Sequence, residues 1–217
     1  MSATPAAPPR RWAAEVCLAL ALVVASHAVP AWLLDVLLER APGPVRALGY
    51  GNAHDLVSLA FGALLALPAA RASGLRLGAR PPLRAILVAV APVIATLIIY
   101  PNLPTRPFAG QRVGLWAISP MAQDLLFVGY LYGRFDALAP SPLERRGPGA
   151  ALLVTAAMFA AWHVPNFRNM PNGYVLFQLA YTFVGLVVTG LSRQWTGSAL
   201  YTMATHVLGN FVAWKTS

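Results

Sequence analysis

The sequence predicts an all-α protein, a polytopic membrane helical bundle of about seven transmembrane helices. Three observations carry that reading. Of 217 residues, 58% are hydrophobic and 11% charged, with a mean hydropathy of +0.60, whereas a soluble domain carries about 25% charged residues. Apolar stretches in the length class needed to cross a hydrocarbon core, about 17–25 residues, recur along the chain. Arg, Pro and Gly gather in the short links between them.

Residues 1–11 read as a disordered, Ala/Pro-rich cytoplasmic tail, and the first crossing covers about 12–38. This start has the outline of a secretory signal. Glu15 within the apolar run, and the resumption of that run after Pro30, favour a retained helix instead. Cys17 is the one cysteine, which excludes an internal disulfide and a Cys-rich metal site; it reads as a small buried apolar residue. The second crossing covers about 55–70, with His54-Asp55 read as its N-terminal cap. The four Arg of residues 71–84 then form a topology anchor within reach of anionic headgroups, and the third crossing covers about 84–100. The fourth covers about 115–135, the fifth 150–163, the sixth 174–192 and the seventh 197–214. The second, fifth and seventh are short, and the fifth is a candidate to extend or re-enter. Breaks such as Ala41-Pro42-Gly43-Pro44, Arg80-Pro81-Pro82 and Arg146-Gly147-Pro148-Gly149 separate them. No internal repeat is evident.

The formal net charge is +9, but the basic residues lie between apolar segments and mark topology rather than a nucleic-acid face. With the N-terminus inside, ten of the 16 Lys and Arg fall on the cytoplasmic side and six outside, which favours N-in and C-out. Trp12, Trp116, Trp162 and Trp214 sit near segment ends, as an interfacial belt would place them.

Three of the apolar segments carry polar residues that a bilayer disfavours by roughly 2.5–3.5 kcal/mol each for an ionisable group. Gln123 and Asp124 lie within SPMAQDLLFVGYLYGRF, His163 within MFAAWHVPNF, and His206 and Asn210 within ALYTMATHVLGNFVAW. The assigned topology puts all of them in the outer half of the membrane. His206 and Asn210 are four apart and share a helical face, as do Phe159 and His163. An imidazole accepts a proton near neutral pH and an amide N–H can stabilise a developing oxyanion. With a carboxylate, these are the parts of a hydrolase that activates water. The bland readings remain beside this one: an interfacial histidine, interhelical hydrogen bonding by His206 and Asn210, and a buried polar bridge at Gln123 and Asp124.

In these segments the chain resembles the CPBP family of glutamic-type intramembrane proteases, which includes the type II CAAX prenyl proteases and bacterial Abi-like relatives. The family pattern is Glu-Glu-x-x-x-Arg, then Phe-x-x-x-His, then His-x-x-x-Asn or Asp. The second motif is present as Phe159-Ala-Ala-Trp-His163 and the third as His206-Val-Leu-Gly-Asn210. The resemblance covers about residues 115–214. The first motif departs from the pattern, because Gln123 stands at the first Glu, Asp124 at the second and Val128 at the Arg.

The resemblance implies N-terminal transmembrane helices over residues 12–114 and a CPBP-like catalytic core over 115–217. It implies an intramembrane endopeptidase acting with activated water on a membrane-associated or C-terminally anchored protein. In that reading His163 is the base-side histidine, His206 and Asn210 stabilise the oxyanion, and Gln123 or Asp124 occupies the carboxylate's place. Three accounts fit the departure: Asp124 takes over about 100° around the helix, the chain binds substrates as an inactive scaffold, or Gln123 is an isosteric replacement in a working site. No cofactor is expected. The alternative is a divalent metal such as zinc at Asp124, His163 and His206. The expected partners are membrane lipid and a polypeptide with a membrane-associated C-terminus, with no nucleic acid. The expected location is a bacterial inner membrane, multi-pass, with the N-terminus cytoplasmic.

Overall fold

The computed structural model describes residues 9–40, 50–77, 80–102, 114–139 and 147–216. Seven helical rods are present and no strand among the described residues. We label them α1 (Pro9–Arg40), α2 (Tyr50–Ala66), α3 (Leu83–Ile99), α4 (residues 114–138), α5 (Ala150–Ala161), α6 (Asn172–Thr196) and α7 (Leu200–Thr216). The expected tail is shorter than its sequence suggests, because Pro9, Arg10 and Arg11 already belong to α1. Proline fits the first turn of a helix, where its missing N–H has no partner to lose. Residues 1–8 lie outside the described part. Cys17 faces outward rather than into the core.

Four spans are long and apolar enough to cross a membrane: Pro9–Val36, Leu83–Asn102, Ala150–Arg168 and Asn172–Thr196. The third of these answers the question over the fifth crossing. After Ala161 the chain turns through Trp162 and His163 into a 3-10 helix, Val164–Arg168, and so extends. The outward faces are apolar, with Leu87, Val90, Ile94 and Ile98 of α3 all exposed, as lipid-facing residues are.

Helix α4 is the central rod. It packs along α2 and, through its second half, against α1 and α5, while α3 lies against α6 and α7. Phe127, Leu131 and Phe135 of α4 are almost wholly buried together with Leu152 and Phe159 of α5. Helix association in lipid depends on close van der Waals packing, so small residues occupy the crossings. Gly62 is one such residue: a Cβ there would stand 2.9 Å from the Ala122 carbonyl oxygen of α4. Farther along, Gly133 of α4 lies so close to Ala72 that a Cβ would fall 2.6 Å from its carbonyl oxygen.

One end of the bundle is tied shut. Gly197 adopts φ 72° after α6, a left-handed conformation that glycine tolerates without penalty. Arg193 donates from Nη2 to Ala72 O at 2.8 Å and from Nη1 to Gly197 O. Ser198 Oγ donates to Arg76 O at 2.7 Å, and the Ala199 N–H to Gly74 O at 2.9 Å. Gln194 caps the start of α5, accepting from the Gly149 N–H at 2.9 Å and donating to Gly147 O at 3.0 Å. Glu15, the acid inside the first apolar run, is held by a bidentate pair with Arg134 of α4, at 2.6 and 2.7 Å.

Candidate active site

The other end of the bundle opens into a cavity of about 350 Å³, within the size range of small-molecule and cofactor sites. Its walls come from both halves of the chain. Gln123, His163, His206 and Asn210 line it, and so do Asp55 of α2 and Thr96 of α3. The sequence resemblance placed the site wholly within residues 115–217. The second and third crossings, which carry no motif, supply one of its walls.

Helix α4 changes pitch around the polar pair. A π-helical turn, Gly114–Ile118, leads into a short α segment, Ser119–Asp124, and a second π segment, Leu125–Leu131, follows. Such widened turns are frequent at functional sites. Pro120 opens the α segment. Gln123 faces the cavity and donates from Nε2 to Ser119 Oγ, one turn earlier, at 3.1 Å. Asp124 is next in sequence but about 100° around the rod. It is 0% exposed and does not line the cavity. Its Oδ1 lies 3.2 Å from Nδ1 of His206, yet neither carboxylate oxygen completes a hydrogen bond among the described residues. The two atoms are close but poorly aligned for a hydrogen bond. Val128, at the position where the resembled pattern has Arg, is buried in the apolar core and gives Asp124 no counter-charge.

His163 ends the turn after α5 and is 7% exposed. Its Nδ1 lies 3.0 Å from the Phe159 carbonyl oxygen. A carbonyl only accepts, so Nδ1 carries the proton and Nε2 of the neutral ring is left as an acceptor. Phe159 stands between the two imidazoles, edge-on to both, with centroids 5.2 Å from His163 and 5.8 Å from His206. Phe127 braces it from α4 at 5.2 Å. The Phe-x-x-x-His spacing therefore supplies both a backbone acceptor for the histidine and a spacer between the rings. His27 of α1 stacks on Trp162 at 4.3 Å, with its Nε2 at 2.9 Å from the Trp162 carbonyl oxygen, and Trp162 donates to Ser26 Oγ at 3.0 Å. These contacts fix the turn that presents His163.

His206 and Asn210 lie one turn apart on α7 and both reach the cavity wall. At its mouth Asn166 donates to Gln178 Oε1 at 2.9 Å, tying the 3-10 helix to α6. All five site residues named from the sequence thus gather at one end of the bundle. Four line the cavity, and the fifth, Asp124, backs His206.

Asp55 and Ser119 were missed. The sequence suggests that His54-Asp55 caps the second helix, but α2 begins at Tyr50, so both residues lie inside it. Asp55 is 8% exposed and lines the cavity together with Ser119, within hydrogen-bonding reach of its hydroxyl. The available signal was an acid in an apolar helix with small residues at Gly62 and Ala66 on the same face, a pattern that points inward. For the zinc alternative, no three His, Cys, Asp or Glu side chains among the described residues gather at metal-holding separation.

Residues 105–212, about half the chain, match the family model described as type II CAAX prenyl endopeptidase, Rce1-like. No curated protein and no solved structure matches.

Proposed function

The chain belongs, through residues 105–212, to the Rce1-like family of type II CAAX prenyl endopeptidases, and from that premise we propose an intramembrane endopeptidase that hydrolyses a membrane-associated polypeptide with a water bound in the cavity. The observation that supports this most is the meeting of Gln123 of α4, His163 of the turn after α5, and His206 and Asn210 of α7 around one cavity.

Each group has a role in that reading. His163, with its proton on Nδ1, accepts a hydrogen bond from water through Nε2 and so orients the nucleophile. The Asn210 amide and His206 donate to the carbonyl oxygen as it gains charge, His206 kept in place by Asp124. Gln123 has no useful proton affinity and so positions rather than deprotonates. The substrate is a protein held by its C-terminus at the membrane, with lipid as the surrounding partner. We place the protein in a bacterial inner membrane with a cytoplasmic N-terminus, so that the cavity opens on the extracytoplasmic side. The basic links support this orientation, since Arg71, Arg76 and Arg193 lie at the closed end, away from the cavity.

One observation favours a second reading. With an amide in the place of the family's first Glu, the protein could serve as a scaffold that holds such a substrate without cutting it.

The test uses protein reconstituted in phosphatidylethanolamine–phosphatidylglycerol vesicles. Two probes are supplied: a quenched peptide ending in a prenylated cysteine and three residues, and a reporter anchored by a C-terminal transmembrane tail. Cleavage is expected from the native chain or from Gln123→Glu. His163→Ala and His206→Ala should each lose at least about 100-fold at unchanged membrane abundance. If neither the native chain nor Gln123→Glu cuts either probe, the protease reading fails and the scaffold reading takes its place.

A further inference from the structure

The carboxylate that position 123 lacks stands on another helix: we propose that Asp55 of α2 is the catalytic proton acceptor of this cavity. The inference rests on the endopeptidase reading above and names the group that reading leaves open.

Helix register puts Asp55 there. Gly62 marks where α2 meets α4, against Ala122 and Leu125, and farther along both helices Ala66 meets Gly129. The two rods therefore run in the same direction. Asp55 lies two turns before Gly62 on the same face, because seven residues nearly complete two helical turns. Ser119 precedes Ala122 by about one turn. Asp55 and Ser119 are thus brought together by the same close crossing, side by side on the cavity wall and within hydrogen-bonding reach.

The direction of the hydrogen bonds follows from chemistry. Gln123 Nε2 donates to Ser119 Oγ, and an ionised carboxylate only accepts. Ser119 therefore gives its own proton to Asp55, and the three groups form one chain from amide to hydroxyl to carboxylate. A second carboxylate at position 123 would compete for the single Ser119 proton and set two like charges on one hydroxyl. Gln123 and Asp55 are a matched pair: the amide serves as donor because the acid has moved.

Of the two acids close to Gln123, only Asp55 reaches the space where water and substrate meet. Asp124 is sealed behind His206. In the step proposed, the Asp55 carboxylate takes one proton from water as the water oxygen bonds to the scissile carbonyl carbon. The carbonyl π pair moves onto its oxygen beside His206 and Asn210. When that pair returns, the C–N bond breaks and the proton passes from Asp55 to the departing nitrogen, leaving a carboxylic acid and an amine.

The experiment uses the vesicle assay and its two probes. The native chain should cleave, Asp55→Asn should fall at least about 100-fold, and Asp55→Asn with Gln123→Glu should recover at least about tenfold of that loss, showing that a carboxylate and not the fold was missing. A second measurement needs no substitution. Dicyclohexylcarbodiimide should modify Asp55 of the native protein, located by mass spectrometry, and cleavage should fall in step with that modification. Asp55→Asn cleaving at the native rate, or full activity after Asp55 is modified, overturns the role of Asp55 and leaves the protease reading intact. A silent native chain with an active Gln123→Glu does the same. Silence from the native chain and Gln123→Glu alike overturns both.

Discussion

The two ends of this bundle use similar side chains to opposite purposes. At the closed end Arg193, Gln194 and Ser198 are buried and bonded mostly to backbone: carbonyls of Ala72, Arg76, Gly147 and Gly197, and the Gly149 N–H. At the open end Gln123 bonds Ser119, His163 bonds the Phe159 carbonyl and Asp55 lies beside Ser119, all three keeping a face on the cavity, while Asp124 has no completed hydrogen bond among the described residues. A buried polar group in lipid costs free energy unless it is satisfied. Spending it on backbone stabilises the bundle; leaving capacity open keeps it available to water and substrate. Burial alone therefore does not separate structural from functional polar residues here. The partner does.

Substitutions at each end can break that contrast. The largest expected stability effect is at the closed end: Arg193→Ala removes two charge-assisted hydrogen bonds and should cost about 3 kcal/mol, read as a lower melting temperature in detergent. The protein that remains folded should keep its cleavage rate. Loss of rate without loss of stability would mean that the closed end takes part in the chemistry. At the open end Asp124→Asn should do the reverse. His206 loses its charged neighbour, the rate falls about tenfold, equivalent to about 1.4 kcal/mol of barrier, and the melting temperature does not drop, because no completed hydrogen bond is given up. A clear drop in melting temperature would instead make Asp124 a structural acid. The smallest effect sharpens the contrast: Gln194→Ala frees the start of α5 and should cost about 1 kcal/mol, with activity unchanged, measured by the same thermal scan.

Much of this was legible before any coordinates. Four of the seven helices among the described residues follow from the thickness of the hydrocarbon core, which sets a length and a composition that the chain repeats. The histidine motifs were legible because four-residue spacing fixes a shared face whatever the surroundings. Their meeting at one end was also foreseeable, since crossings alternate in direction and the polar residues fall in matching halves. Three things were not. Sequence alone starts α2 too late and makes Asp55 a cap; nothing in residues 50–54 announces a helix start, and the register that turns Asp55 inward depends on Gly62 meeting α4. Cys17 was expected inside, but the first helix presents that face outward. Which of Gln123 and Asp124 faces the cavity stayed open, because the 100° between them fixes how far apart they point but not which one points inward.

Chain composition and short-range spacing determined that the protein is a helical membrane bundle and that two imidazoles and an amide stand ready at set intervals, because bilayer thickness and helical pitch act on local sequence. Tertiary structure alone decided which acid reaches the opening. That outcome depends on how closely one rod can approach another, and here a missing side chain at Gly62 brings α2 against α4 and carries Asp55 to Ser119.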